Sequence, residues 1–179
     1  MSERPEITPQ TRVAALLRDY PETEELLIGM SPAFVKLRNP VLRRSVARVA
    51  TLAHAAAVGQ LPVDELVNNL RAAVGQAPRS DLDDDQVDYF GTQPPWFDAG
   101  AVVAVLRDNE LDPDVMPINP VLRAARDLDE GEIIELVTSH LPAPGIDILR
   151  RKAYQTWTTD DGDLIHTFIT KPSTESGLD

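Results

Sequence analysis

The hydrophobic period of this chain changes once, and that change limits what it can fold into. Through residue 75, apolar side chains recur at helical spacing. From residue 101 they fall into short β-branched runs that alternate with helical stretches. In the first part, Thr11 is placed to cap a helix over 12–20 that buries Val13, Leu16, Leu17 and Tyr20. Pro21 ends it and opens the next helix, over 22–28. Ser31-Pro32 starts a short segment reaching residue 37, and Asn39-Pro40 another to about residue 48. Thr51 opens a helix ending at Gly59. Pro62 opens the longest, to Val74, with Val63, Leu66, Val67, Leu70 and Val74 on one face and Gly75 closing it.

Residues 76–100 hold an aspartate cluster and Gln93-Pro94-Pro95-Trp96-Phe97, the composition of a linker. The aromatics Tyr89, Phe90, Trp96 and Phe97 suit docking on a domain surface. Strands are then expected over 101–106, 132–138, 154–159 and 164–171, with helices from Asn119-Pro120 to Leu128 and from Pro142 through Lys152. Asp160-Asp161-Gly162-Asp163 reads as a hairpin connection. The order is β-α-β-α-β-β, a four-stranded sheet with two helices on one face. The fold class is therefore α+β: a small all-helical domain over 1–75, a linker over 76–100, a two-layer sandwich over 101–171 and a disordered tail over 172–179.

The chain has no cysteine, which removes disulfides, thiolate nucleophiles, persulfide carriage and cysteine-held metal clusters together. His54, His140 and His166 stand far apart. The net charge of −12 is uneven. Residues 1–79 carry ten basic and eight acidic side chains, 80–98 carry six aspartates and no base, and 99–179 carry seven basic against fifteen acidic. Such a C-terminal half repels phosphate backbones and anionic lipid, so neither nucleic acid nor membrane is an expected partner. Met1–Glu6 is polar, without the apolar stretch of a secretory signal, and a cytoplasmic location is expected.

Two stretches carry resemblances. Ile7-Thr8-Pro9, the run 15–21 (Ala15-Leu16-Leu17-Arg18-Asp19-Tyr20-Pro21), the run 37–43 (Leu37-Arg38-Asn39-Pro40-Val41-Leu42-Arg43) and the run 45–52 resemble a helical domain of unknown function. That domain is related to the N-terminal domain of ScdA-type iron–sulfur repair proteins and to one linked with hybrid-cluster proteins. Asn119-Pro120-Val121-Leu122, the run 131–136 (Gly131-Glu132-Ile133-Ile134-Glu135-Leu136) and Leu141-Pro142-Ala143-Pro144 resemble TusA/SirA-like domains. The TusA resemblance implies a two-layer sandwich with a carrier cysteine in the turn that here reads Ile118-Asn119-Pro120-Val121. Without a thiol, sulfur transfer by this chain is excluded.

Candidate sites follow. Asn119 and Pro120 suit an anion or small-ligand site at a helix start, or a plain helix cap. His140, before Pro142 and Pro144, suits a ligand site in a stiff loop or a metal site, iron or heme included; otherwise it is a half-exposed loop histidine. No cofactor is required by the sequence. His166 reads as a sheet-face residue and His54 as a structural or exposed residue on an alanine-rich helix. Lys36, Arg38, Arg43, Arg44 and Arg48 form a basic surface, with Arg44 and Arg48 four apart on one helical face and no nearby acid. It could meet a carboxylate or phosphate, dock on Asp81, Asp83, Asp84, Asp85 and Asp88, or remain a solvated face. Residues 51–58 and 62–74 have helix-turn-helix spacing, with Asn68, Asn69 and Arg71 on the second helix. Asp64 and Glu65 in front of them argue against DNA. The expectation is a non-catalytic binding or regulatory protein for a protein partner or small ligand, compatible with a homodimer, in a metal or redox-stress pathway. A metal- or heme-binding module centred on His140 is the alternative.

Overall fold

A computed structural model describes residues 4–82, 89–110 and 118–172. The expected tail beyond Pro172 lies outside the described residues. The chain divides into two compact units, Met1–Val87 and Asp88–Asp179. Helices make up the first and a four-stranded mixed sheet with two helices the second. Among the described residues, no helix is long and apolar enough to cross a membrane.

The N-terminal unit contains α1 (Val13–Asp19), α2 (Glu24–Met30), α3 (Pro40–Ser45), α4 (Leu52–Gly59) and α5 (Val63–Ala73). Short 3-10 segments at Pro21–Thr23 and Pro32–Arg38 join them, so Pro21 opens a 3-10 turn and α2 begins only at Glu24. Thr11 does not cap α1. Arg12 holds the cap position without a side-chain bond, and the Thr11 hydroxyl accepts from Thr8 N–H at 2.9 Å. Backbone carbonyls do the capping instead. Val13 N–H donates to Ala50 O and Ala14 N–H to Ala47 O, while Leu52 N–H donates to Thr11 O and Ala53 N–H to Pro9 O, all at 2.9 Å. The starts of α1 and α4 thereby satisfy each other's free donors. At α4, Thr51 and His54 form a reciprocal capping box, which gives His54 a structural role.

The apolar stripes of α1 and α5 form the core with Ile7, Leu27, Phe34 and Leu52. Gly59 lies where Phe34 crosses α4: a Cβ there would stand 2.7 Å from Phe34 Cζ. Gly59→Ala should therefore cost about 1–3 kcal/mol in denaturant unfolding, because the buried ring has to move. A cost near zero would mean that Phe34 is not fixed there.

In the C-terminal unit, β1 (Val102–Arg107), α6 (Ile118–Asp127), β2 (Ile133–Thr138), α7 (Ala143–Arg151), β3 (Gln155–Asp160) and β4 (Ile165–Thr170) follow in chain order. The sheet order is β1-β2-β4-β3, with β1 parallel to β2 and the other pairs antiparallel. Val121 and Ala125 of α6, Leu128 just beyond it and Leu149 of α7 pack on Ile134, Leu136 and Ile169. Side chains alternate along a strand, so Glu135, Val137, His166, Phe168 and Trp157 face away from the helices.

Residues 89–101 reach from one side of this sheet to the other. Tyr89 is buried on α7, its hydroxyl donating to Asp147 Oδ1 at 3.2 Å, and burial pushes the phenol pKa upward. Trp157 Nε1–H donates to Gly91 O at 2.8 Å, and the Phe97 ring packs edge-on against Trp157 and Phe168 at 4.7 and 4.6 Å. A short turn, Ala99–Ala101, then leads into β1 at the far edge. The segment thus crosses the helix-free face. In the N-terminal unit, residues 76–82 pack back on their own helices: Arg79 N–H donates to Asn68 Oδ1 at 2.8 Å, and Leu82 rests against the core.

Candidate functional site

The parallel pairing of β1 and β2 puts their carboxyl ends side by side, and the helix that follows each strand starts at that same end. Asn119 and Pro120 lie in the first turn of α6, His140 and Pro142 lead into α7, and Pro144 is in its first turn. Ile118 and Gly145 bring the two starts together, since a Cβ at Gly145 would stand 3.3 Å from Ile118 Cδ1. Ser139 ties the strand ends, its N–H and hydroxyl donating to Asp108 Oδ2 at 2.9 and 3.1 Å. Thr138 Oγ1 donates to His140 O at 2.7 Å, fixing the loop in which the half-buried imidazole sits.

Asn119 is not the helix cap. Helix α6 already begins at Ile118, so Asn119 stands exposed within the first turn, where Pro120 needs no N–H partner. Helix α7 has no side-chain cap at Pro142, which leaves the amide donors of its first turn without that partner. Among the described residues, no group of three histidine, aspartate or glutamate side chains is placed to hold a metal ion, so His140 has no such set around it.

Folding changes the basic surface. Arg43 pairs with Glu24 at 2.8 Å and Arg38 with Glu25 at 3.4 Å, because α2 packs beside the segment that carries the arginines. The acids that seemed absent come from 13 and 19 residues upstream. Helix α3 ends at Ser45, so Arg48 lies in the following turn and shares no helical face with Arg44. Both are exposed, and Lys36 makes an interaction of its own. Of the linker aspartates, Asp81 pairs with Arg79. Asp83, Asp84, Asp85 and Asp88 lie outside the described residues. Arg71 and Asn68 are no DNA-reading pair: Arg71 is buried, and Asn68 is clasped to Arg79.

One constellation escapes the sequence. His166 is more than a sheet-face residue: its Nδ1 lies 2.6 Å from Glu135 Oε1 and its Nε2 3.0 Å from Asp161 Oδ2. The hydrogen bond to Glu135 is the main cause that raises the imidazole pKa, against a partial opposing effect of burial. Asp161 is held at about 2, chiefly by the N–H groups of Leu164 and Asp163. The ring stands between the two carboxylates, so the three groups do not converge on a common point as metal ligands must. A charged residue inside the apolar run Ile133-Ile134-Glu135-Leu136-Val137 was the available signal, but its partner depends on strand register.

No curated protein and no solved structure matches the chain. A family model does match within the helical unit, described as a domain of unknown function, DUF1858. The match runs over residues 7–67, from the buried Ile7 to Val67 of α5, so this stretch of the helical unit is similar to DUF1858 domains.

Proposed function

We propose that this is a non-catalytic binding protein whose C-terminal unit, a TusA-like sandwich without the carrier cysteine, takes a small anionic ligand at the carboxyl ends of β1 and β2. The meeting of two helix starts, with Ile118 against Gly145, carries this reading. Amide donors and the positive ends of two helix dipoles gather at that end of the unit. Asp108, which follows β1, is already engaged by the Ser139 N–H and hydroxyl. The element order β-α-β-α-β-β and the sheet order support the TusA likeness. The helical domain's likeness to ScdA-type N-terminal domains makes a metal or redox-stress pathway the setting in which to seek the ligand.

Titration calorimetry with inorganic phosphate and sulfate tests the reading, with Asn119→Asp as the discriminating variant. A carboxylate in the first turn of α6 favours the helix by roughly 0.3–1 kcal/mol, yet repels an anion at its end. Binding should therefore weaken several-fold while the melting temperature holds or rises. No heat with either anion, or equal affinity in the variant, would reject an anion site here.

A further inference from the structure

The helix-free face carries a cluster of ionisable groups that the proposed ligand site does not use. His166 on β4 is flanked by Glu135 of β2 at 2.6 Å and by Asp161 of the β3–β4 turn at 3.0 Å. A carboxylate only accepts hydrogen bonds, so each ring nitrogen facing one must carry a hydrogen. The bridge is complete only for the imidazolium. A neutral ring has a single N–H and turns a lone pair toward one of the two acids.

We propose that Glu135, His166 and Asp161 form a proton-operated latch that ties the 160–163 turn to β2 and opens at Asp161 when the imidazole loses a proton. Asp161 is the arm that yields. Its side chain is 53% exposed against 20% for Glu135, and its contact is the longer of the two. Its other oxygen, Oδ1, already accepts from Asp163 N–H at 3.0 Å and Leu164 N–H at 2.8 Å, so the turn survives the loss of the His166 contact. Around the ring, β3 contributes Thr159 and β2 contributes Val137 and Glu135, while Asp160, opposite Ile165, lies on the other face and Asp163 is exposed in the turn. Arg107 of β1 shares the face, on the far side of Val137. Among the described residues, only Glu135 and Asp161 are hydrogen-bonded to the ring.

The direction of the pH effect follows from the raised affinity of the folded ring for its second proton. The stabilisation is complete below the ordinary histidine value of 6.5 and is lost as pH rises through the higher folded value. The test is a pH titration of the full chain followed by NMR, observing the His166 ring together with the backbone amides of Asp163 and Leu164. The ring should titrate above the ordinary value, and both amides should shift with the same midpoint. Hydrogen exchange in the turn should quicken over that range. Glu135→Gln and Asp161→Asn should each lower the midpoint, and Asp161→Asn, which keeps an Oδ1 acceptor for the turn, should also uncouple the amides from it. A ring midpoint at or below the ordinary value, or turn amides that stay still while the ring titrates, would overturn the latch.

Discussion

Replacing Arg71 with alanine is expected to destabilise the N-terminal unit by about 3 kcal/mol, the largest single effect foreseen there. Arg71 is 5% exposed. Its Nη1–H groups donate to Ile7 O at 2.7 Å and to Glu6 Oε1 at 3.0 Å, while Nε–H donates to Ala77 O at 2.6 Å. One side chain thus holds both ends of the unit to α5. Gln76 completes the clasp, its Oε1 accepting from Ile7 N–H and its Nε2 donating to the Tyr20 hydroxyl. Removing Arg71 leaves buried carbonyl groups without a charged donor, which costs more than the half-exposed ion pair with Glu6 contributes. Helix-band circular dichroism in a urea series reads this effect, because α1–α5 dominate that signal. An unmoved helical transition would mean that the terminal segments are held by apolar packing alone.

The second large effect belongs to the sheet. Phe168→Ala should cost about 3–5 kcal/mol, because the residue is only 9% exposed and its ring sits at the centre of an aromatic group. Trp157 stacks on it at 5.3 Å and Phe97 meets it edge-on at 4.6 Å. Its loss removes the platform on which residues 91–97 rest. Both tryptophans, Trp96 and Trp157, lie in this unit, so tryptophan emission during unfolding reports on it directly. The midpoint should fall and the folded protein should emit further to the red. An emission maximum and midpoint like those of the unaltered protein would show that the segment is anchored elsewhere, with the Tyr89–Asp147 contact as the next one to remove.

The kinds of element were legible because their signals are local. The stripe Val63, Leu66, Val67 and Leu70 names a helix by its own spacing, and the same four residues are buried. Asp160-Asp161-Gly162-Asp163 names a turn, and Gly162 adopts the positive φ that such a turn uses. The ends of elements were less legible. Thr11 looks like a cap, yet Ala50 and Ala47 carbonyls take the donors it would have served, and they come from a segment nearly forty residues away. Asn119 fails as a cap for a nearer reason, since Ile118 already belongs to the helix.

By itself the sequence determined that helices precede a sheet-containing part and that no thiol chemistry belongs to this chain, because periodicity and residue type are properties of short stretches. Only the tertiary structure decided which charges meet. Glu135 and His166 are 31 residues apart, and their contact depends on the antiparallel register that sets Val137 opposite His166. Arg43 finds Glu24, and Arg71 finds Ile7 O across 64 residues, through helix packing alone. A charge carries no period that announces its partner. Its pairing is settled where desolvation makes an unpaired group costly, and that place exists only once the core has closed.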